Sequence, residues 1–299
     1  MTFLFPPFEP DRKNGRRRFS RLRRIPVRLL VPNMVTLLAL CAGLTAMRLA
    51  IEHRFELAIA AIAFAAVLDM LDGRIARLLK STSRFGAELD SLADFVNFGV
   101  APGIILYVFA LDELKSLGWI AVLILALATV LRLARFNVSL DAPNKPAWAQ
   151  GFFVGVPAPA GAMVALLPIY LELIGIPHFD GTAVTSCFYI MGVAFLMVSR
   201  LPTFSLKKTG ERVRRDLVLP IMLAVVLFFA LLFSYPWTTL AVASAIYLAT
   251  IPMAIIRYRT LARQHGDPGN DPIDETPAPP PEREPIELAE GKPDEKTPD

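Results

Sequence analysis

Four aspartates, at positions 69, 72, 90 and 94, lie in the stretch DMLDGRIARLLKSTSRFGAELDSLADF (69–95), in surroundings that are mostly Ala, Leu, Val and Phe. Asp69 and Asp72 are three apart and Asp90 and Asp94 four apart, so on helices each pair shares one face. A short loop between two antiparallel helices would make the two pairs converge. An ionised carboxylate in a bilayer costs several kcal/mol, about 2.5–3.5 on insertion scales, and four like charges at close range need compensation. One or two divalent cations would supply it. Carboxylate-only ligation suits Mg2+ or Mn2+ over Zn2+ or Cu2+. The three histidines, His53, His178 and His265, fall in far-side loops and the C-terminal tail. Neither a histidine base nor a zinc site of the usual type is therefore expected at the cluster.

Small residues accompany the carboxylates. Gly73 lies four after Asp69, Ala76 four after Asp72, and Gly86 four before Asp90. In a membrane helix such residues often serve close helix packing. Interleaved with aspartates, they also open a groove for a ligand. Arg77 is either an interfacial side chain with its head in the polar layer or a phosphate contact. Carboxylates, divalent ions, an arginine and a groove point to phosphoryl-transfer chemistry on a lipid. A metal pair could clamp a pyrophosphate, and a spare carboxylate could take a proton from an attacking hydroxyl.

The elements that must position these groups are membrane helices. The 299-residue chain is 54% hydrophobic and only 19% charged, too apolar for a soluble domain of this size. A bilayer core about 30 Å thick takes about 20 apolar residues per helix. Eight apolar runs qualify, roughly 29–50, 55–79, 87–112, 117–138, 157–175, 182–200, 217–234 and 237–256. AVLILALATVL (121–131) is apolar all round, unlike a soluble helix. The expected fold is all-α: a polytopic helical membrane protein with about eight transmembrane helices. A basic segment (1–28) would precede a membrane-embedded catalytic domain (29–258), and an acidic, Pro-rich disordered tail (263–299) would follow it. The first apolar run starts late and lacks a small-residue cleavage site, so no cleaved leader is expected.

Orientation follows from Lys and Arg. Nine fall in the first 28 residues and six in 199–216, while the alternate loops are poor in them. The positive-inside rule then puts both termini and all four aspartates on the cytoplasmic side. The basic N-terminus is read as a contact for anionic membrane lipids, with no nucleic-acid partner. Cys41 and Cys187 lie in apolar runs and are read as small buried hydrophobes.

Asp69-x-x-Asp72-Gly73-x-x-Ala76-Arg77, eight residues, then Gly86-x-x-x-Asp90-x-x-x-Asp94 resembles the signature of the CDP-alcohol phosphotransferases at all eight positions. The resemblance covers roughly residues 30–200. It implies a helical membrane enzyme, typically homodimeric, that moves a phosphatidyl or similar group from a CDP-linked donor to an alcohol and releases CMP. It also implies that Asp69, Asp72, Asp90 and Asp94 bind a pair of divalent metals, with Asp94 the base on the acceptor hydroxyl. Asp69, Asp72, Gly73, Ala76, Arg77 and Gly86 would shape or contact the CDP site. PNMVT in the first span is similar to a Pro-Asn-x-x-Thr element of the family, which would place Asn33 and Thr36 near the nucleotide. An interhelical hydrogen bond is the other reading of Asn33.

FVNFGVAPG (95–103), RLARFN (132–137), FFVGVPAPAGA (152–162) and MVSRLPTFSLKK (197–208) resemble membrane-embedded bacterial phosphatidylserine synthases. That resemblance implies CDP-diacylglycerol as donor, L-serine as acceptor and a bacterial inner membrane. A carboxylate-bearing acceptor needs a cation, and arginine forks suit carboxylates. Arg132 and Arg135, three apart, with Asn137 close by, are candidates, and Lys207 is another. Equally, these arginines could be positive-inside anchors. Two alternatives stay open. One is a sister enzyme acting on glycerol 3-phosphate or an inositol phosphate, which would want more cations near Asp94. The other is a divalent-cation transporter, which would want polar groups through the full membrane depth.

Overall fold

The computed structural model describes residues 27–81, 83–140, 152–177, 179–204 and 215–265. Lys207, His178, most of the basic N-terminal segment and most of the acidic tail lie outside the described residues.

The site rests on a helical hairpin. Helices α1 (Val27–Ile51) and α2 (Phe55–Leu78) pack against each other, reversing at His53, whose φ is positive. Small side chains are prominent among their buried residues. Ala39, Gly43, Ala46 and Ala50 of α1 are buried, as are Ala58, Ile59, Ile62, Ala65 and Leu68 of α2. Lipid is as apolar as leucine, so close backbone approach, not burial from water, holds such a pair. A tight turn through Lys80, also at positive φ, leads to α3 (Arg84–Phe95). The Ser83 side chain caps α3 by accepting from Gly86 N at 3.0 Å.

The third span is not one regular helix. After α3 the chain makes a wider π-helical turn, Val96–Val100, before α4 (Ala101–Phe109). Gly99 and Gly103 let this span press on α5 (Ser116–Leu140). A Cβ at Gly99 would stand 3.0 Å from Thr129, and one at Gly103 would stand 2.9 Å from Val122.

A short antiparallel pair, β1 (Phe152–Val154) and β2 (Pro202–Phe204), ties the ends of the next segments together, with Phe153 opposite Thr203. Between them run α6 (Ala158–Ala165), α7 (Leu167–Leu173) and α8 (Thr182–Val198). α9 (Arg215–Ser234) and α10 (Pro236–His265) follow. α10 packs on β2, α6, α7 and α9.

All eight apolar runs are mainly helical. Among the described residues, four helical segments are long and apolar enough to cross a membrane: Leu30–Ile51, Arg84–Phe109, Ser116–Ser139 and Pro236–Leu261. α2 has the length but carries the aspartates, and Thr182–Val198 and Val218–Ser234 are shorter apolar helices. The fifth run is broken between α6 and α7, where Pro168 cannot donate to the continuing ladder. Large apolar side chains cover the outside, among them Phe64, Phe188, Phe195, Leu219 and Phe233. A membrane protein presents such a surface to lipid. Cys41 is a correction: it is exposed on the outer face of α1 rather than buried. An apolar run has the same composition whether it faces lipid or protein, so sequence could not place it.

Candidate metal and nucleotide site

Three helices build the site. Asp69 and Asp72 come from the later part of α2, Asp90 and Asp94 from α3, and α1 packs against both. One carboxylate oxygen each from Asp69, Asp72 and Asp90 lies within 4.8 Å of the others. The Asp94 carboxyl lies against that of Asp69. Asp72 is the most enclosed, at 3% exposure, and its Oδ2 accepts a 2.6 Å hydrogen bond from the Thr36 hydroxyl. Asp90 Oδ1 is buried and has no hydrogen-bond partner among the described residues. No lysine or arginine forms a salt bridge with any of the four among the described residues.

That arrangement fits a hard divalent cation. Carboxylates brought this close without a basic partner repel one another, and a buried carboxylate oxygen with no donor is costly. An oxygen-only donor set matches Mg2+ or Mn2+. His53 turns up at the α1–α2 reversal, the opposite end of the hairpin from the cluster.

The small residues divide into two kinds. A Cβ at Gly73 would meet nothing within 4 Å, so its smallness serves no packing among the described residues. A Cβ at Gly86 would stand 2.9 Å from Asn33 Oδ1 and 3.1 Å from Ser83 Oγ, so Gly86 makes room for Asn33. The two residues thus meet at an interhelical contact. Ala76 is half-buried, and its carbonyl accepts Ser81 N at 2.9 Å, which ends α2. Arg77 is exposed at the α2 terminus.

Near the C-terminal end of α5 the two arginines part company. Arg135 Nη1 donates to Val198 O at 2.7 Å and contacts Ser199 O at 3.4 Å, closing the end of α8. Arg132 is 8% exposed and has neither a hydrogen bond nor a salt bridge among the described residues. Its guanidinium lies 5.4 Å from the centre of the Phe136 ring and is the charged neighbour of Asp94. Asn137 Nδ2 donates to Ser91 Oγ at 3.0 Å, joining α5 to the helix that carries Asp90 and Asp94.

Sequence reasoning missed three residues here. Asn97, in the π-helical turn, is 1% exposed, and neither its Oδ1 nor its Nδ2 has a partner among the described residues. It presses so closely on α1 that a Cβ at Gly43 would overlap its Oδ1. An asparagine inside an apolar run was a readable signal. Tyr247 and Thr203, discussed below, gave none, because nothing local marks them.

Comparison with known proteins accounts for this constellation. A family model described as CDP-alcohol phosphatidyltransferase matches residues 29–198, and one described as CDP-alcohol phosphatidyltransferase 2 matches 216–252. A Mycobacterium leprae protein named CDP-diacylglycerol–serine O-phosphatidyltransferase is 43% identical over 244 residues, covering 81% of this chain and 80% of that protein. A protein of the same name from Mycobacterium tuberculosis is 41% identical, covering 81% of this chain and 83% of the relative. One from Helicobacter pylori is 33% identical, covering 73% and 88% respectively. With the first family model spanning more than half its length, the chain belongs to the CDP-alcohol phosphatidyltransferase family.

Proposed function

We propose that this chain transfers the phosphatidyl group of CDP-diacylglycerol to the hydroxyl of L-serine, giving phosphatidylserine and CMP. The observation that carries the acceptor is Arg132, a buried guanidinium beside Asp94 with no ion-pair partner among the described residues. An unpaired buried cation next to the reacting carboxylate suits an acceptor with one carboxylate. The names of the relatives agree with that choice. Glycerol 3-phosphate or an inositol phosphate would call for several cations there, and Arg135 is already committed to two backbone carbonyls.

Asp69, Asp72, Asp90 and Asp94 would hold two ions, Mg2+ or Mn2+. Such ions neutralise pyrophosphate oxygens and ease departure of CMP. The chain's own residues do the rest. Asp94 takes the proton of the serine hydroxyl. That oxygen bonds to the phosphorus esterified to diacylglycerol, and the bridging P–O bond to CMP breaks. The open face at Gly73 admits the nucleotide, Arg77 contacts phosphate, and the Gly86–Asn33 contact with Thr36 holds α1 beside it. Arg132 takes the serine carboxylate. Asn137 acts indirectly, through Ser91. The acyl chains lie in the bilayer beside the site. The cytoplasmic face of a bacterial inner membrane, with both termini on that side, agrees with the distribution of Lys and Arg, and the working unit is a homodimer.

The test is CMP release by the detergent-solubilised protein given CDP-diacylglycerol and Mg2+ or Mn2+, with serine, glycerol 3-phosphate and inositol phosphate supplied separately. Serine-dependent release lost in Asp94→Asn is the expected result. Release with another acceptor alone would overturn the serine assignment.

A further inference from the structure

Arg132 has a neighbour on α10, a helix outside the first matched family segment, 29–198, and largely within the second, 216–252. Tyr247, on α10, points its hydroxyl into the protein beside Arg132 and Thr203. That oxygen is fully buried, with the Thr203 hydroxyl beside it but no hydrogen bond of good geometry among the described residues. Thr203, on β2, is itself buried, and its hydroxyl proton is committed to Gly155 O at 2.9 Å. Arg132, itself buried, is the cationic neighbour of Tyr247 and of Asp94. α10 packs directly on β2, so the tyrosine is carried on a fixed surface.

A buried phenol with no well-formed hydrogen bond is unfavourable, as is a buried guanidinium with no acceptor at contact distance. Here the two are neighbours, and both are donors. One bound carboxylate would satisfy both at once, since its two oxygens can accept from several donors. We infer that Tyr247 is a specificity-determining residue of the acceptor pocket, donating its hydroxyl to the carboxylate of the acceptor that Arg132 neutralises. The inference rests on the serine reading and deepens it: the chain selects an amino acid over a bare amino alcohol by two donors, one from α5 and one from α10.

The experiment compares the full-length protein with Tyr247→Phe, which keeps the ring and removes only the hydroxyl. Steady-state CMP release is measured against serine and, separately, against CDP-diacylglycerol. The expected result is a KM for serine raised about tenfold, as for loss of one hydrogen bond to a charged group, with the KM for CDP-diacylglycerol unchanged. A fluorine label on the ring of Tyr247 gives a second readout that needs no substitution of the hydroxyl. Its 19F resonance should shift when serine is added to the metal-loaded protein and stay put with ethanolamine. A serine KM within twofold of the parent, or a fluorine signal indifferent to serine, would overturn the role of Tyr247 while leaving the enzyme a serine transferase. A parent protein that releases CMP with another acceptor and not with serine would instead sink the underlying reading.

Discussion

The Thr36 hydroxyl of α1 donates to Asp72 Oδ2 of α2 at 2.6 Å, the one side-chain hydrogen bond to the aspartate cluster among the described residues. It occupies one lone pair of a carboxylate and fixes the direction of the rest. Hydrogen bonds of this kind orient metal ligands without touching the ion.

Thr36→Val, close in shape, should therefore weaken metal dependence before it weakens anything else. The half-saturating Mg2+ or Mn2+ concentration is expected to rise about 10- to 100-fold, the usual range for such supporting contacts, with near-parental activity at saturating metal. Metal titration of CMP release checks this. Chelation should silence both proteins, with activity restored by readdition of the ion.

Gly73 and Gly86 should respond differently to the same methyl group. Gly73→Ala meets open space, and alanine is favoured in a helix by about 0.5–1 kcal/mol. Its thermal stability should hold or rise while CDP-diacylglycerol binding falls sharply. Gly86→Ala pushes on Asn33 Oδ1, so it should lose stability by about 1–3 kcal/mol. Melting temperature and nucleotide binding, measured on both, separate a ligand groove from a packing contact.

Arg132 and Arg135 should separate just as cleanly. Arg135→Gln removes the hold on Val198 O and Ser199 O and should lower the melting temperature while leaving the serine KM of the folded protein unchanged. Arg132→Gln should raise that KM on the order of 100-fold, the cost of removing the cation from a desolvated charge pair. Equal effects of the two on serine KM would contradict the assignment.

Asp94→Asn keeps the shape and removes the oxygen proposed as the base. Turnover should fall by about 100- to 10,000-fold, the range for general-base catalysis. CDP-diacylglycerol should still bind, as read by equilibrium dialysis with metal present.

The aspartate cluster was legible because carboxylates in an apolar run are conspicuous, and because spacings of three and four put each pair on one face. Convergence followed from the short turn at Lys80. What stayed hidden depended on contacts distant in sequence. Arg132 and Arg135 look alike at the end of a span, and only the backbone at Val198 separates them. Tyr247 reads as an ordinary residue of an apolar helix until α10 is seen against β2. The break at Leu166, between α6 and α7, vanished into one continuous apolar run.

The wide turn at Val96–Val100 has a bearing on how the chain length of this span can vary. A π-helical turn accommodates one extra residue while the helix on either side keeps its direction. Losing a residue there would restore a regular helix, with Asp90 and Asp94 still facing α2 and Gly103 still against Val122 of α5. Losing one elsewhere between Asp90 and Gly103 would swing one part through about 100° relative to the other, taking either a carboxylate or the glycine face off its partner. Insertions and deletions among relatives should therefore gather at this single point of the third span.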